Sequence, residues 1–234
     1  AIFKSFERFS LQISISFIVL FTLLMSLVFW KRPSCSTQSI PYAIFTTGFA
    51  GMIFNLAIIF TFQTFYGYLY HQMGLLIATL MFGVALSSFY MTRYLDRIER
   101  DSYLFLKIEI VIILFSFLFP SVFSILPQYL EKTALSLLIY PLFLIMSFFS
   151  GACIGLQFPL ASKIYLASPG KQGAYGHTAG LLYGADLLGG FLGGLFGGIL
   201  LLPILGLKES CFMMAMIKMS SGLLFLLFMK IHKA

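Results

Sequence analysis

Charge is what this sequence has least of. Of its 234 residues only 10% are Asp, Glu, Lys or Arg, against roughly a quarter in soluble domains. Too few ionic groups remain to coat a water-soluble globule of this length. Cysteine is sparse as well: Cys35, Cys153 and Cys211 lie far apart, with no CxxC spacing and no Cys/His cluster. Neither a disulfide framework nor a zinc or haem-attachment site follows, and the three read as small apolar residues in or beside helices. No GxGxxG, Walker lysine loop, HExxH or GxSxG occurs, so the common nucleotide, metalloprotease and esterase sites are missing. Enzymatic activity, a bound cofactor and a bound metal are not expected. The 15 basic against 8 acidic residues, a net charge of +7, are scattered between apolar runs. They suit membrane-flanking loops, not nucleic-acid binding.

What the chain has in abundance is apolar surface. Hydrophobic residues make up 60% of it and Phe alone occurs 28 times, more than one compact core of this size would bury, which leaves lipid as the solvent for the rest. A bilayer core about 30 Å thick takes roughly twenty residues of helix at 1.5 Å each. Seven runs of that length are predicted: 11–30, 42–65, 73–91, 103–123, 133–159, 179–205 and 210–229. The uncharged stretch 33–92 is too long for one crossing and is expected to turn at Tyr66–Gln72. Continuous apolarity, without alternation, argues against a barrel. The expectation is an all-α integral membrane protein of seven transmembrane helices, with an extra helix in residues 1–32 and a six-helix bundle in 33–234. The first run, about twenty residues long and lacking a small-residue cleavage site, does not read as a cleavable signal peptide.

Basic residues in alternate connections set the expected orientation. One side collects Lys31, Arg32, Arg93, Arg97, Arg100, Lys163, Lys171, Lys230 and Lys233, the other Lys4, Arg8, Lys132 and Lys208. The first side is expected to be cytoplasmic, giving an outside N-terminus and an inside C-terminus. Six spans with both ends in the cytoplasm have the arrangement of half a major-facilitator-type transporter.

Three groups of residues stand out. Gly189, Gly193 and Gly197, with Gly190, Gly194 and Gly198 beside them, recur every four residues and form two adjacent bare strips on one helix, predicting a tight seam with a neighbour. Asp186 sits about 10 Å inside that helix, where a carboxylate needs a partner. Lys107 and Glu109 in the fourth span and Arg93 at the end of the third reach a similar depth, which predicts a charge cluster joining the third, fourth and sixth spans. It would act as a structural clasp or, alternatively, make Asp186 a proton or cation site. Lys218 lies near the middle of the last span, too far in depth from Asp186 for a direct pair, and is expected to face a polar cavity or a partner subunit. Finally, Gln63, Tyr66, Tyr68, Tyr70 and His71 form a polar-aromatic patch at the expected outer surface. It is either an aromatic belt at headgroup level or a pocket beside a quinone, amine or haem.

Several segments resemble a known family. The runs 46–52, 62–70, 74–76 and 81–88, then Gly155-Leu156-Gln157-Phe158-Pro159-Leu160-Ala161 and Tyr183-Gly184-Ala185-Asp186-Leu187-Leu188-Gly189-Gly190, are similar to the membrane part of spermidine synthase-like integral membrane proteins. The likeness covers about residues 40 to 207. Arg93-Tyr94-Leu95-Asp96-Arg97 also resembles a degenerate form of the cytoplasmic transporter motif, with Ser87 and Ser88 where glycines are expected. The resemblance implies a transporter-half-like membrane module, commonly fused to a Rossmann-type aminopropyltransferase domain. It does not imply synthase activity here, since the donor-binding glycine loop is absent. The expected role is a non-catalytic bacterial-type inner-membrane subunit that scaffolds a larger assembly together with other subunits, a second half or a fused soluble domain. The alternatives are a half-transporter for an amine or small cation, and a subunit beside a quinone or cytochrome chain.

Overall fold

The computed structural model describes residues 35–67, 70–98, 100–125, 133–168 and 170–233. The expected helix at 11–30, the unit 1–32 and Tyr68 lie outside these residues. The described residues form six helices: α1 (Cys35–Tyr66), α2 (Tyr70–Tyr94), α3 (Asp101–Ile125), α4 (Thr133–Leu166), α5 (Tyr175–Phe196) and α6 (Gly206–Lys233). Five helical stretches are long and apolar enough to cross a membrane, and the last of these, Tyr175–Leu226, contains α5 and most of α6. The protein is therefore all-helical over the described residues, with helices suited to a bilayer.

Most helix ends fall where the sequence puts them, and the exceptions have physical causes. At the predicted turn α1 stops at Tyr66, Gly67 takes a left-handed φ of 78° and α2 begins at Tyr70. Pro159 was expected to end the fifth span, but α4 runs on to Leu166. Proline removes one helical hydrogen bond without forcing termination when the surrounding helices hold the rod. Beyond α5, Gly197–Leu205 winds in the wider π form around Pro203, a common accommodation where a proline cannot donate to the ladder. Gly206, at φ 84°, then redirects the chain into α6.

Neighbouring side chains fix the directions. Phe45, Phe49 and Ile53 of α1 meet Gly189 and Gly193 of α5 and Gly197 just beyond it in the same order, so α1 and α5 run parallel. Leu80 and Val84 of α2 likewise meet Gly151 and Gly155 of α4. Phe105 meets Phe225 whereas Phe117 meets Phe212, which makes α3 and α6 antiparallel. The six helices alternate in direction, and the fifth crossing turns back at Gly206.

These pairings repeat under a two-fold operation that exchanges α1–α3 with α4–α6. A Cβ placed on Gly189 would fall on the carbonyl oxygen of Phe45 and against the amide of Phe49, and one placed on Gly83 would fall on that of Phe148 and against the amide of Ala152. Gly48 abuts the carbonyl of Asp186 as Gly151 abuts that of Leu80. Gly51 against Ile154 and Glu109 against Lys218 are matched with each other across the axis. Because each half has three helices, its twin runs through the bundle upside down. Identity between the halves is sparse but present in the same register, with Phe45 and Phe148, Gly48 and Gly151, Gly83 and Gly189, and Gly74-Leu75-Leu76 and Gly180-Leu181-Leu182.

The predicted glycine seam is present. Gly189, Gly193 and Gly197 are buried against α1, while Gly190, Gly194 and Gly198 lie at its border, where added methyls would meet Gly48, Met52 or Leu56 at 3.4–3.9 Å. The second seam, between α2 and α4, uses Gly83, Gly151 and Gly155 together with Ser147, whose hydroxyl donates to the Leu76 carbonyl at 2.7 Å. A Phe-rich layer fills the bundle further along, where the Phe143 ring contacts both Phe62 and Phe123. Exposed Met81, Phe82, Leu114, Leu118, Leu188 and Phe191 form an apolar exterior, as lipid contact requires.

At one end Lys163 ties the α2–α3 connection to α4. Its ammonium donates to the carbonyls of Leu95 at 2.7 Å and Ile98 at 3.1 Å and to Asp101 Oδ1 at 2.9 Å. The segment Arg93–Arg97 is thus held through its backbone, and the Arg97 guanidinium lies 5.5 Å from the Tyr94 ring centre.

Two outcomes follow from this packing. Gly189→Ala should destabilise the bundle by about 1–3 kcal/mol, because the methyl forces α1 and α5 apart. Gly180→Ala, on the open face of the same helix, should be neutral or stabilising by up to ~1 kcal/mol; thermal unfolding in detergent followed by helical circular dichroism separates the two. In sealed vesicles, Arg97→Cys and Gln172→Cys should react with an impermeant maleimide from one side, and His71→Cys and Lys208→Cys from the other.

Candidate functional site

The polar centre of the bundle is built from one residue on each of four helices. Lys218 on α6 and Glu109 on α3 are both fully buried, and their ion pair measures 2.9 Å. The Lys218 ammonium also donates to the Thr47 hydroxyl on α1 at 2.6 Å. Gln157 on α4 bridges the group: its Nε2 donates to Glu109 Oε1 at 3.2 Å and its Oε1 lies against the Thr47 hydroxyl. Ser221, one turn beyond Lys218, reaches the same Glu109 oxygen at 3.5 Å. Counting helical rise, Thr47 lies about 12 Å from Ser39 and Glu109 about 12 Å from Asp101. The cluster is therefore well inside the apolar span and nearer the end carrying the Arg93–Asp101 connection.

All three partners serve Glu109 Oε1. Glu109 Oε2 is buried with no hydrogen-bond partner, as is Ser150 Oγ on α4. Ser150, Thr47, Ile112 and Cys153 line a small cavity beside the cluster, about the size of one water molecule. Cys153 and Cys211 are free thiols buried in helices, matching their reading as small apolar residues.

The predicted charge cluster is thus corrected in membership. Glu109 takes part, but its partner is Lys218, which faces neither an open cavity nor a partner subunit. Lys107 and Glu109 are two positions apart, roughly 200° around a helix, and cannot both face the core. Lys107 is exposed, its ammonium 4.8 Å from the Tyr103 ring centre, and covers the outer surface with its stem. Arg93 is exposed at the end of α2. Asp186 is half-buried on α5 and packs against Gly48, the residue after Thr47. It lies within electrostatic range of Lys218, yet among the described residues it forms no hydrogen bond and no ion pair. The expected separation of the two in depth is corrected, since Asp186 lies against Gly48 and Lys218 bonds the adjacent Thr47.

Thr47, Gln157 and Ser221 were not singled out in the sequence. A polar residue in each of three apolar spans is a weak signal alone, and it becomes specific only when the helices converge. The polar-aromatic patch does not come together as a pocket. Tyr66 stacks on Phe62 at 4.9 Å and packs edge-on to Tyr140, Gln63 donates to the Met73 sulfur at 2.9 Å, and Tyr70 and His71 face outward. Among the described residues no three His, Cys, Asp or Glu side chains converge as metal ligands.

Comparison of the chain with family models, curated proteins and solved structures finds no match. The chemistry of the site rests on its own geometry. Breaking a buried pair by removing one partner strands the other charge, whereas replacing both by apolar groups removes the desolvation cost as well. Glu109→Gln or Lys218→Met alone should cost about 3–5 kcal/mol, and the double variant Glu109→Leu/Lys218→Met should recover most of it. Unfolding of the three proteins in the same detergent checks the non-additivity.

Proposed function

We propose that the chain is a non-catalytic integral membrane module that anchors or organises a larger membrane assembly. The observation carrying this reading is the sealed polar centre. Glu109, Lys218, Thr47 and Gln157 bond one another across four helices, with a water-sized cavity beside them. Such an arrangement locks helices together, and the cavity beside it is far smaller than the roughly 300–1,000 Å³ of a typical ligand pocket. The expected partners are other membrane subunits, a second half or a fused soluble domain, as the resemblance to spermidine synthase-like membrane proteins implies. The basic end at Arg93, Arg97, Arg100 and Lys171 is assigned to the cytoplasm of a bacterial-type inner membrane.

A second reading, a half-transporter moving an amine or small cation, draws support from the inverted pairing of α1–α3 with α4–α6, an arrangement found in secondary transporters. Both readings call for a partner, and they differ in what the purified chain does. The module should migrate in mild detergent as part of a complex of fixed stoichiometry, and loss of the chain should lower the level of its partner. In reconstituted vesicles the chain should leave uptake of labelled spermidine, methylamine and rubidium ion at the rate of empty vesicles. Uptake above that rate that is abolished in Asp186→Asn would replace the module by the transporter.

A further inference from the structure

The Glu109–Lys218 pair accounts for two of the three ionisable groups at the centre of the bundle. Asp186 is the third, and the charge count leaves it uncompensated: two carboxylates share one ammonium, and that ammonium already bonds Glu109 and Thr47. The helices packed around it also carry Cys153 and Tyr42, both buried, and Tyr66, Tyr140 and Tyr165 further along, none of which supplies a positive charge. The one further cation on these helices, Lys163 of α4, is held by Asp101 and the carbonyls of Leu95 and Ile98. A lone carboxylate at this depth in a lipid-spanning helix is expensive unless its charge is removed.

Packing does not require an acid there. The two-fold repeat places Leu80 on α2 at the position equivalent to Asp186: each main-chain carbonyl abuts a glycine of the partner helix, Gly151 for Leu80 and Gly48 for Asp186. Leu80 performs that role with an apolar side chain that is 4% exposed. Gly48 also leaves room for the carboxyl group itself, since a Cβ at that position would stand 2.7 Å from Asp186 Oδ1. Unlike Glu109, which is fully buried, Asp186 is only half-buried, so its carboxyl group is not sealed inside the bundle.

We propose that Asp186 is a proton-binding site, a membrane-embedded carboxyl group that exchanges one proton with water beside the Glu109–Lys218 pair. The step is a transfer from hydronium or a buffer acid to a carboxylate oxygen of Asp186, with no other bond made or broken. Protonation removes the excess negative charge near Lys218, and deprotonation gives that ammonium a second carboxylate to answer. The inference holds whether the chain anchors an assembly or moves a solute, because it concerns the resting charge of the bundle.

The test uses the full chain in lipid nanodiscs and dicyclohexylcarbodiimide, an apolar reagent that modifies protonated carboxyl groups. Peptide mass mapping should find Asp186 labelled in neutral medium, with the labelling lost as the medium is made alkaline, and Glu109 unlabelled throughout. Infrared spectra should show a protonated-carboxyl band with the same pH response. That band should be absent from Asp186→Leu, a variant expected to fold because leucine occupies the twin position, and retained by Asp186→Glu. An unlabelled Asp186, labelling that does not change with pH, or a band that survives in folded Asp186→Leu would overturn the proposal. Loss of labelling on adding sodium ion at constant pH would overturn it too, assigning the site to a metal cation.

Discussion

Inside a bilayer apolar side chains gain nothing by leaving lipid for one another, so helices must be joined by what lipid cannot offer: close backbone contact and satisfied polar groups. This constraint organises the whole bundle. Bare positions along α5 and α4 let α1 and α2 approach until carbonyl oxygens touch what would be a Cβ. Thr47, Glu109, Gln157 and Lys218 turn inward to meet across α1, α3, α4 and α6. The glycine seams hold helices in parallel pairs, α1 with α5 and α2 with α4, and the ion pair joins the antiparallel α3 and α6. Neither device would suffice alone, since the seams leave α3 and α6 unattached.

The two-fold relation between the halves separates what the architecture needs from what was added to it. Where both copies carry small residues, at Gly48 and Gly151 or at Gly83 and Gly189, the demand is geometric and the same on both sides. Across the axis itself the copies differ in sign, Glu109 facing Lys218, and the difference is complementary. At Asp186 and Leu80 the copies differ without complementarity. A carboxyl group placed where its twin is aliphatic answers to something other than packing, which sets Asp186 apart from Glu109 although both are acids in apolar helices.

The membrane character, the helical class and the span positions within the described residues were legible from charge scarcity and twenty-residue apolar runs, because lipid thickness dictates both. The seam along Gly189, Gly193 and Gly197 was legible for a similar reason, a four-residue repeat being a property of one helix. The α2–α4 seam was harder to read, since Gly83 stands by itself and Gly151 and Gly155 make only one repeat. Lys218 was visible as a charge in the wrong place. Its partner was not, because depth along a helix can be counted from sequence whereas azimuth against another helix cannot. That limit misassigned Lys107 and Arg93 to the interior and left Thr47 and Gln157 unnoticed.

By itself the sequence determined the solvent, the class of secondary structure and one packing face, all of them set by composition and by spacing along single helices. Tertiary structure alone decided that Glu109 belongs to Lys218 and Asp186 to neither, and that α1–α3 and α4–α6 are inverted twins. The physical reason is that ion pairing and symmetry depend on distances between helices far apart in the chain, and those distances exist only once backbone contact at the glycines has set how the helices stand against one another.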